Sequence, residues 1–65
     1  MVDTKKLKAA MVLKGITQQQ LARELGITHK TFIEQRDSGT FRLDKVKRMI
    51  EILNIDDPVS VFLAD

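Results

Sequence analysis

The 65-residue chain carries 11 Lys and Arg against 9 Asp and Glu, with no cysteine and a single histidine. This length allows one domain, residues 1–65, and the residue types exclude disulfides, thiolate nucleophiles and zinc–thiolate sites. No apolar run approaches the ~20 residues of a membrane span, and no signal peptide is evident. We therefore expect a cytoplasmic protein with no membrane partner, metal or other cofactor.

Charge is distributed unevenly along the chain. Residues 1–42 carry eight basic and four acidic side chains, a net +4, whereas residues 43–65 carry three and five, a net −2. A basic front and an acidic tail are typical of a protein that turns one face to a polyanion. Simple solvation of a small helical domain would explain the charges equally well, so both interpretations stay open.

The first predicted helix spans 4–14, with Asp3 or Thr4 as its N-cap and Gly15 as the residue that ends it. Its apolar residues recur at three- and four-residue spacing, which predicts one buried stripe. This stripe contains Leu7, Ala10 and Met11 and is widened by Val12 and Leu13.

The second predicted helix begins at Thr17 and ends at Gly26. Thr17-Gln18-Gln19-Gln20 fits a capping box, and Ile16 and Leu21 fit a hydrophobic staple around the same helix start. The residues that face inward are Leu21, Ala22 and Leu25.

The third predicted helix is capped by Thr28 and runs to about Asp37. Phe32 is its one large residue that must face inward, because Gln35 and Arg36 occupy the next inward turn. A helix this polar cannot be held by its own core residues alone, so it is either weakly stable or kept for its exposed face.

Two more helices follow the break at Ser38-Gly39. Phe41 and Leu43 are expected to anchor the loop, and the fourth helix runs from about Leu43 to Leu53. Its apolar stripe consists of Val46, Met49, Ile50 and Leu53, with Asn54 after its end. Asp57-Pro58 starts a short fifth helix. No strand pattern is present, so the sequence predicts an all-α fold.

The residues Gln18, Leu21-Ala22, Leu25-Gly26 and Phe32, with the helices on either side, resemble the lambdoid-repressor and Cro family of helix-turn-helix proteins. Gly26-Ile27-Thr28 and the segment from Ser38 to Val46 look closest to its small phage-encoded regulators. The resemblance spans Leu7 to Phe62. It implies a compact five-helix, lambda-repressor-like DNA-binding domain whose helix-turn-helix is formed by the second and third helices.

The resemblance also implies a function: sequence-specific binding of a double-stranded DNA operator by a phage or prophage repressor or Cro-like transcriptional regulator in a bacterial host cell. The third helix, 28–37, would lie in the major groove. The residues that would read or flank bases are His29, Lys30, Thr31, Ile33 and Glu34. Lys30 can donate to guanine and Glu34 can accept from cytosine, although an ion pair between these two side chains explains Glu34 nearly as well.

Phosphate contacts are expected from residues beside this helix. Gln18 lies at the start of the second helix, where free N–H groups favour an anion. The resemblance adds Thr28, Thr40, Arg42 and Lys45 to this set. Many family members also pair an arginine on the first helix with a glutamate on the third, whereas this chain has Met11 and Arg36 at those positions.

The fifth helix carries more apolar residues than one face can bury: Val59, Val61, Phe62 and Leu63. Some must pack on the fourth helix, and the remainder favours a homodimer, at least on DNA. Family members commonly dimerise here and read half-sites about one DNA turn apart.

Three other functions compete with transcriptional regulation. An excisionase-type or architectural factor would use the same motif, and an antitoxin-like protein-interaction module would need a partner-binding segment for which the chain has no spare residues. We do not expect an enzyme, because the chain offers only scattered hydroxyls with one histidine and no glycine-rich phosphate loop.

Overall fold

The computed structural model describes residues 1–64, so Asp65, the last residue of the predicted domain, lies outside the described residues. Residues 1–64 form five helices and no strand, which confirms the all-α prediction. The helices are α1 (Thr4–Lys14), α2 (Gln18–Leu25), α3 (His29–Ser38), α4 (Leu43–Leu53) and α5 (Pro58–Phe62). The radius of gyration is 10.4 Å, close to the ~11 Å of a compact chain of this length.

Every helix except α4 begins with a side-chain cap, which is supplied by the residue just before the helix. Asp3 Oδ1 accepts from the N–H groups of Lys5 and Lys6, each at 3.1 Å. At α2 the capping box is complete, since Thr17 Oγ1 accepts from Gln20 N–H at 3.1 Å and Gln20 Oε1 accepts from Thr17 N–H at 2.8 Å. Such bonds satisfy amide groups that have no partner inside the helix.

The ends of the first four helices are set by residues in the left-handed conformation. Gly15, Gly26 and Gly39 have φ of 70°, 74° and 74°, and Asn54 has φ of 53°. Glycine and asparagine adopt this conformation at low cost, which is why the helices end where the sequence predicts.

The core lies where α1, α2 and α4 meet, with α3 and α5 packed around it. Its fully enclosed side chains are Leu7, Leu21, Phe32 and Met49. Burying a side chain of this size contributes about 1.5–3 kcal/mol to folding. Helix α2 places Leu21, Ala22 and Leu25 in this core, whereas α3 places only Phe32 there.

Three apolar residues expected to be inside are exposed. Val12 and Leu13 expose 70% and 90% of their surface, so the prediction that they widen the buried stripe of α1 is wrong. They follow the buried Met11 by one and two positions, which turns them roughly 100° and 160° away from it. Leu43 is 70% exposed, and the loop before α4 is anchored instead by Phe41, whose ring centroid lies 5.4 Å from that of Phe32.

Residues before α1 pack against α5. Val2 is buried, and the N–H of Asp3 donates to the carbonyl of Val61 at 2.7 Å. Val61 and Phe62 are themselves part of the core, so their side chains are buried within this one chain. Of the four residues predicted for a dimer interface, only Val59 and Leu63 remain exposed.

None of the helices within residues 1–64 is both long enough and apolar enough to cross a membrane.

Candidate functional site

Helix α3 is set against α2 by a three-residue connection. Ile27 N–H donates to the carbonyl of Ala22 at 3.0 Å, and Gly26 N–H donates to that of Arg23 at 3.1 Å. Thr28 then caps α3, because its Oγ1 accepts from Thr31 N–H at 3.1 Å. Across this connection α2 and α3 pack against each other, and Phe32 of α3 is buried in the core.

The side of α3 that faces away from the core is polar. Lys30 and Glu34 lie roughly 160° from Phe32 around the helix, and both side chains are exposed. Among the ion pairs of residues 1–64 none joins these two side chains, although they are four residues apart. Both groups are therefore open to an external partner.

His29 and Ile33, which were predicted to read bases with Lys30 and Glu34, lie at the side of α3 and not on the face opposite Phe32. At roughly 60° and 100° from Phe32, both are half-buried, and Ile33 packs against the core. Packing against the core therefore explains why position 33 is apolar.

Thr28 and Thr31 bond to each other. The Thr28 hydroxyl donates to Thr31 Oγ1 at 2.9 Å while its oxygen also caps the helix. Both hydroxyls therefore stabilise the first turn of α3.

Gln18 and Arg36 form a contact that the sequence does not predict. Arg36 Nη1 donates to Gln18 Oε1 at 2.7 Å, while its Nε and Nη2 contact Asp37 Oδ1 at 3.0 and 2.9 Å. This bond joins the start of α2 to the end of α3. Met11, the other position at which this chain was compared with the resembling family, is buried in the core.

Lys45 has a partner inside the fold. Its Nζ donates to the carbonyl of Leu25 at 2.8 Å, and only 26% of its side chain is exposed. A cation at the end of α2 is favourable because the last carbonyls of a helix carry partial negative charge. Lys45 therefore acts at least in part as a cap for α2.

Arg42 and Thr40 lie in the loop between α3 and α4, and both are exposed. Arg42 Nε is 3.6 Å from Asp44 Oδ1, an exposed pair of little energetic weight. Thr40 Oγ1 donates to the carbonyl of Ser38 at 3.4 Å. Neither contact prevents these side chains from meeting another molecule.

A groove of about 220 Å³ lies between α1, α2 and α3. Its rim carries Lys5, Lys8 and Arg36 beside Gln18 and Asp37, and Leu7 and Met11 are among its apolar lining residues. Lys5 and Lys8 are three residues apart and hence on one side of α1. That spacing was visible in the sequence, but their position beside Arg36 depends on tertiary packing.

Gln35 is half-buried on the inner side of α3. Its Oε1 is enclosed and has no hydrogen-bond partner within the described chain. An enclosed polar atom without a partner costs about 1–3 kcal/mol. The inner face of α3 is therefore suboptimal at this position.

Residues 1–64 contain no group of three or more His, Cys, Asp and Glu side chains placed to hold a metal ion. No protein-family model, curated protein or solved structure matches the chain.

Proposed function

We propose that this protein is a sequence-specific double-stranded DNA-binding transcriptional regulator in which α2 and α3 act as a helix-turn-helix. The observation that carries this proposal is the exposed, polar side of α3, where Lys30 and Glu34 form no ion pair within residues 1–64. A ten-residue helix with one fully buried side chain adds little to the core, so its composition is best explained by contacts with a polar ligand.

Lys30 and Glu34 are proposed to read bases, because they project furthest from the core. Lysine donates to guanine O6 and N7, and glutamate accepts from cytosine N4. His29 and Ile33 would contact the edge of the same site through their exposed portions, with Ile33 suited to a thymine methyl group. Thr31 is proposed to support them, since its hydroxyl is paired with Thr28.

Phosphate contacts are proposed for groups on either side of α3. Gln18 lies at the start of α2, and Thr40 and Arg42 lie in the loop after α3. These groups would fix the position of α3 on the duplex without reading its sequence. Thr28 and Lys45 make a smaller contribution, because the Thr28 hydroxyl and the Lys45 ammonium already bond within the chain.

The class of regulator proposed is a phage or prophage repressor or Cro-like protein, following the resemblance of residues 7–62. A homodimer on DNA would read two half-sites about 34 Å apart. Its contact surface would include Val59 and Leu63, the two exposed apolar residues at α5. An excisionase-type factor would bind DNA in the same way and differ in biological role.

A protein-interaction module is the second candidate, and one observation favours it. Val12 and Leu13 form an exposed apolar surface on α1 together with Ala9, and exposed apolar patches often mark protein contacts. Binding to duplex DNA distinguishes the two candidates, since only the regulator requires it.

Selection of bound duplexes from a random pool tests the proposed regulator. We expect a defined preferred sequence for the wild type, and Lys30→Ala should reduce discrimination at one base position by ~1–3 kcal/mol. Lys47→Ala is the matched control, because Lys47 is an exposed lysine on α4. Equal loss for all sequences in Lys30→Ala would show that α3 does not read bases, and absence of binding at low salt would refute the function.

A further inference from the structure

The groove between α1, α2 and α3 is the strongest unassigned feature of the molecule. Its rim carries three cations, Lys5, Lys8 and Arg36, against one carboxylate, Asp37. The lysines come from the first half of α1, which has no acidic residue in its first turn. The rim therefore carries two more cations than carboxylates, and the nearby carboxylate of Asp3 is bonded to the backbone amides of Lys5 and Lys6 at the start of α1.

Arg36 is held in a fixed position at this rim. Only 24% of its side chain is exposed, and it is bonded to Gln18 on one side and to Asp37 on the other. A guanidinium has five N–H donors, and these contacts use three, through Nε, Nη1 and Nη2. One N–H on each terminal nitrogen is left, and pre-organised guanidinium donors match the oxygens of a phosphate group.

The start of α2 adds further donors beside Arg36. Gln18 is the first residue of α2, and within residues 1–64 neither its N–H nor that of Gln19 has an acceptor. The capping box satisfies Thr17 and Gln20 instead. The free N–H groups and the positive end of the helix dipole favour an anion at the same side of the groove.

We propose that this groove binds one phosphate group, with Lys5 and Lys8 from α1 and Arg36 from α3 as its cationic side chains. This inference rests on the proposed function for the source of the phosphate, which is the backbone of the bound duplex next to α2. It extends the proposed DNA-contacting surface to the first half of α1. The chemistry required is that of a phosphodiester, and a free inorganic phosphate ion presents the same oxygens.

Inorganic phosphate titrated into the isotope-labelled protein tests the groove without DNA. With chloride at equal ionic strength as the reference, we expect saturable shifts of the Gln18 and Gln19 amide signals. Lys5→Ala/Lys8→Ala should abolish these shifts. The control Lys6→Ala/Lys47→Ala removes the same charge from two other exposed lysines and should leave them unchanged. Shifts that are absent, or that both double variants change alike, would overturn the proposal.

The second measurement uses duplex DNA and the salt dependence of its binding. Loss of one phosphate contact lowers the slope of log affinity against log salt by ~0.9. Between 50 and 200 mM salt, the loss of affinity in Lys5→Ala/Lys8→Ala should therefore be smaller than in the wild type by about 3.5-fold. The control double variant keeps all three cations of the groove and should therefore keep the wild-type slope.

The two measurements separate failure of the groove from failure of the proposed function. If the wild type binds DNA and Lys5→Ala/Lys8→Ala keeps the salt slope of the wild type and of the control variant, the groove does not contact the duplex. The inference is then wrong, while DNA binding stands. If the wild type binds no DNA but the phosphate-induced shifts depend on Lys5 and Lys8, the anion site stands and its assignment to a duplex fails.

Discussion

Helices α2 and α3 are neighbours of similar length that are held in different ways. α2 buries Leu21, Ala22 and Leu25 and begins at a reciprocal capping box. α3 fully buries only Phe32 and is otherwise tied by the Arg36–Gln18 bond and its own first-turn threonines. The difference shows how a small domain can fix one helix in the core while a second helix keeps most of its surface for another molecule.

The largest change in the free energy of unfolding is expected from Phe32→Ala. The ring is fully enclosed and contacts Phe41, so its loss should lower the free energy of unfolding by ~3–5 kcal/mol. Leu21→Ala removes one of three buried residues of α2 and should cost ~2–5 kcal/mol. Denaturant unfolding gives these values.

Amide hydrogen exchange then locates the damage caused by each substitution. In Phe32→Ala, protection should be lost first in α3, because the remaining apolar residue of this helix, Ile33, is only half-buried. Uniform loss across the domain would show that α3 is anchored as firmly as α2.

An increase in stability is expected from Gln35→Leu. The substitution removes the enclosed Oε1 that lacks a partner and adds apolar contact, so the free energy of unfolding should rise by ~1 kcal/mol. Gln19→Leu, at an exposed position of α2, is the control and should change stability by less than ~0.5 kcal/mol. A destabilised Gln35→Leu would mean that the amide has a role that its bonds within the chain do not reveal.

A loss of stability much smaller than that of Phe32→Ala is expected at the end of α2. Lys45→Met keeps the aliphatic stem but removes the donor to the Leu25 carbonyl, which should lower the free energy of unfolding by ~1 kcal/mol. Lys47→Met lies on the same helix at an exposed position and should have little effect. Thermal melts of both variants at equal salt provide the test, and equal melting temperatures would argue against Lys45 as a cap.

Local chemistry explains why the helices could be predicted to within one residue. The caps at Thr17 and Thr28 and the turns at Gly15, Gly26 and Gly39 involve residues no more than five positions apart. Such interactions form between residues that are close in sequence, so they can be predicted without knowledge of the tertiary packing.

Contacts between helices account for what could not be predicted. The bonds of Arg36 to Gln18 and of Lys45 to Leu25 join residues 18 and 20 positions apart, and their existence depends on how the helices cross. The same applies to Val12 and Leu13, since an apolar stripe does not reveal which of its edges meets a neighbour. The roles of Lys30 and Glu34 toward DNA stay predictions.

The hydrogen bond from Asp3 to Val61 brings the first and last helices of the described chain side by side. The loop at residues 40–42 is exposed or half-buried and joins α3 to α4. A chain joined near α1 and α5 and opened in this loop could keep every helix–helix contact, so the helix order is separable from the helix packing.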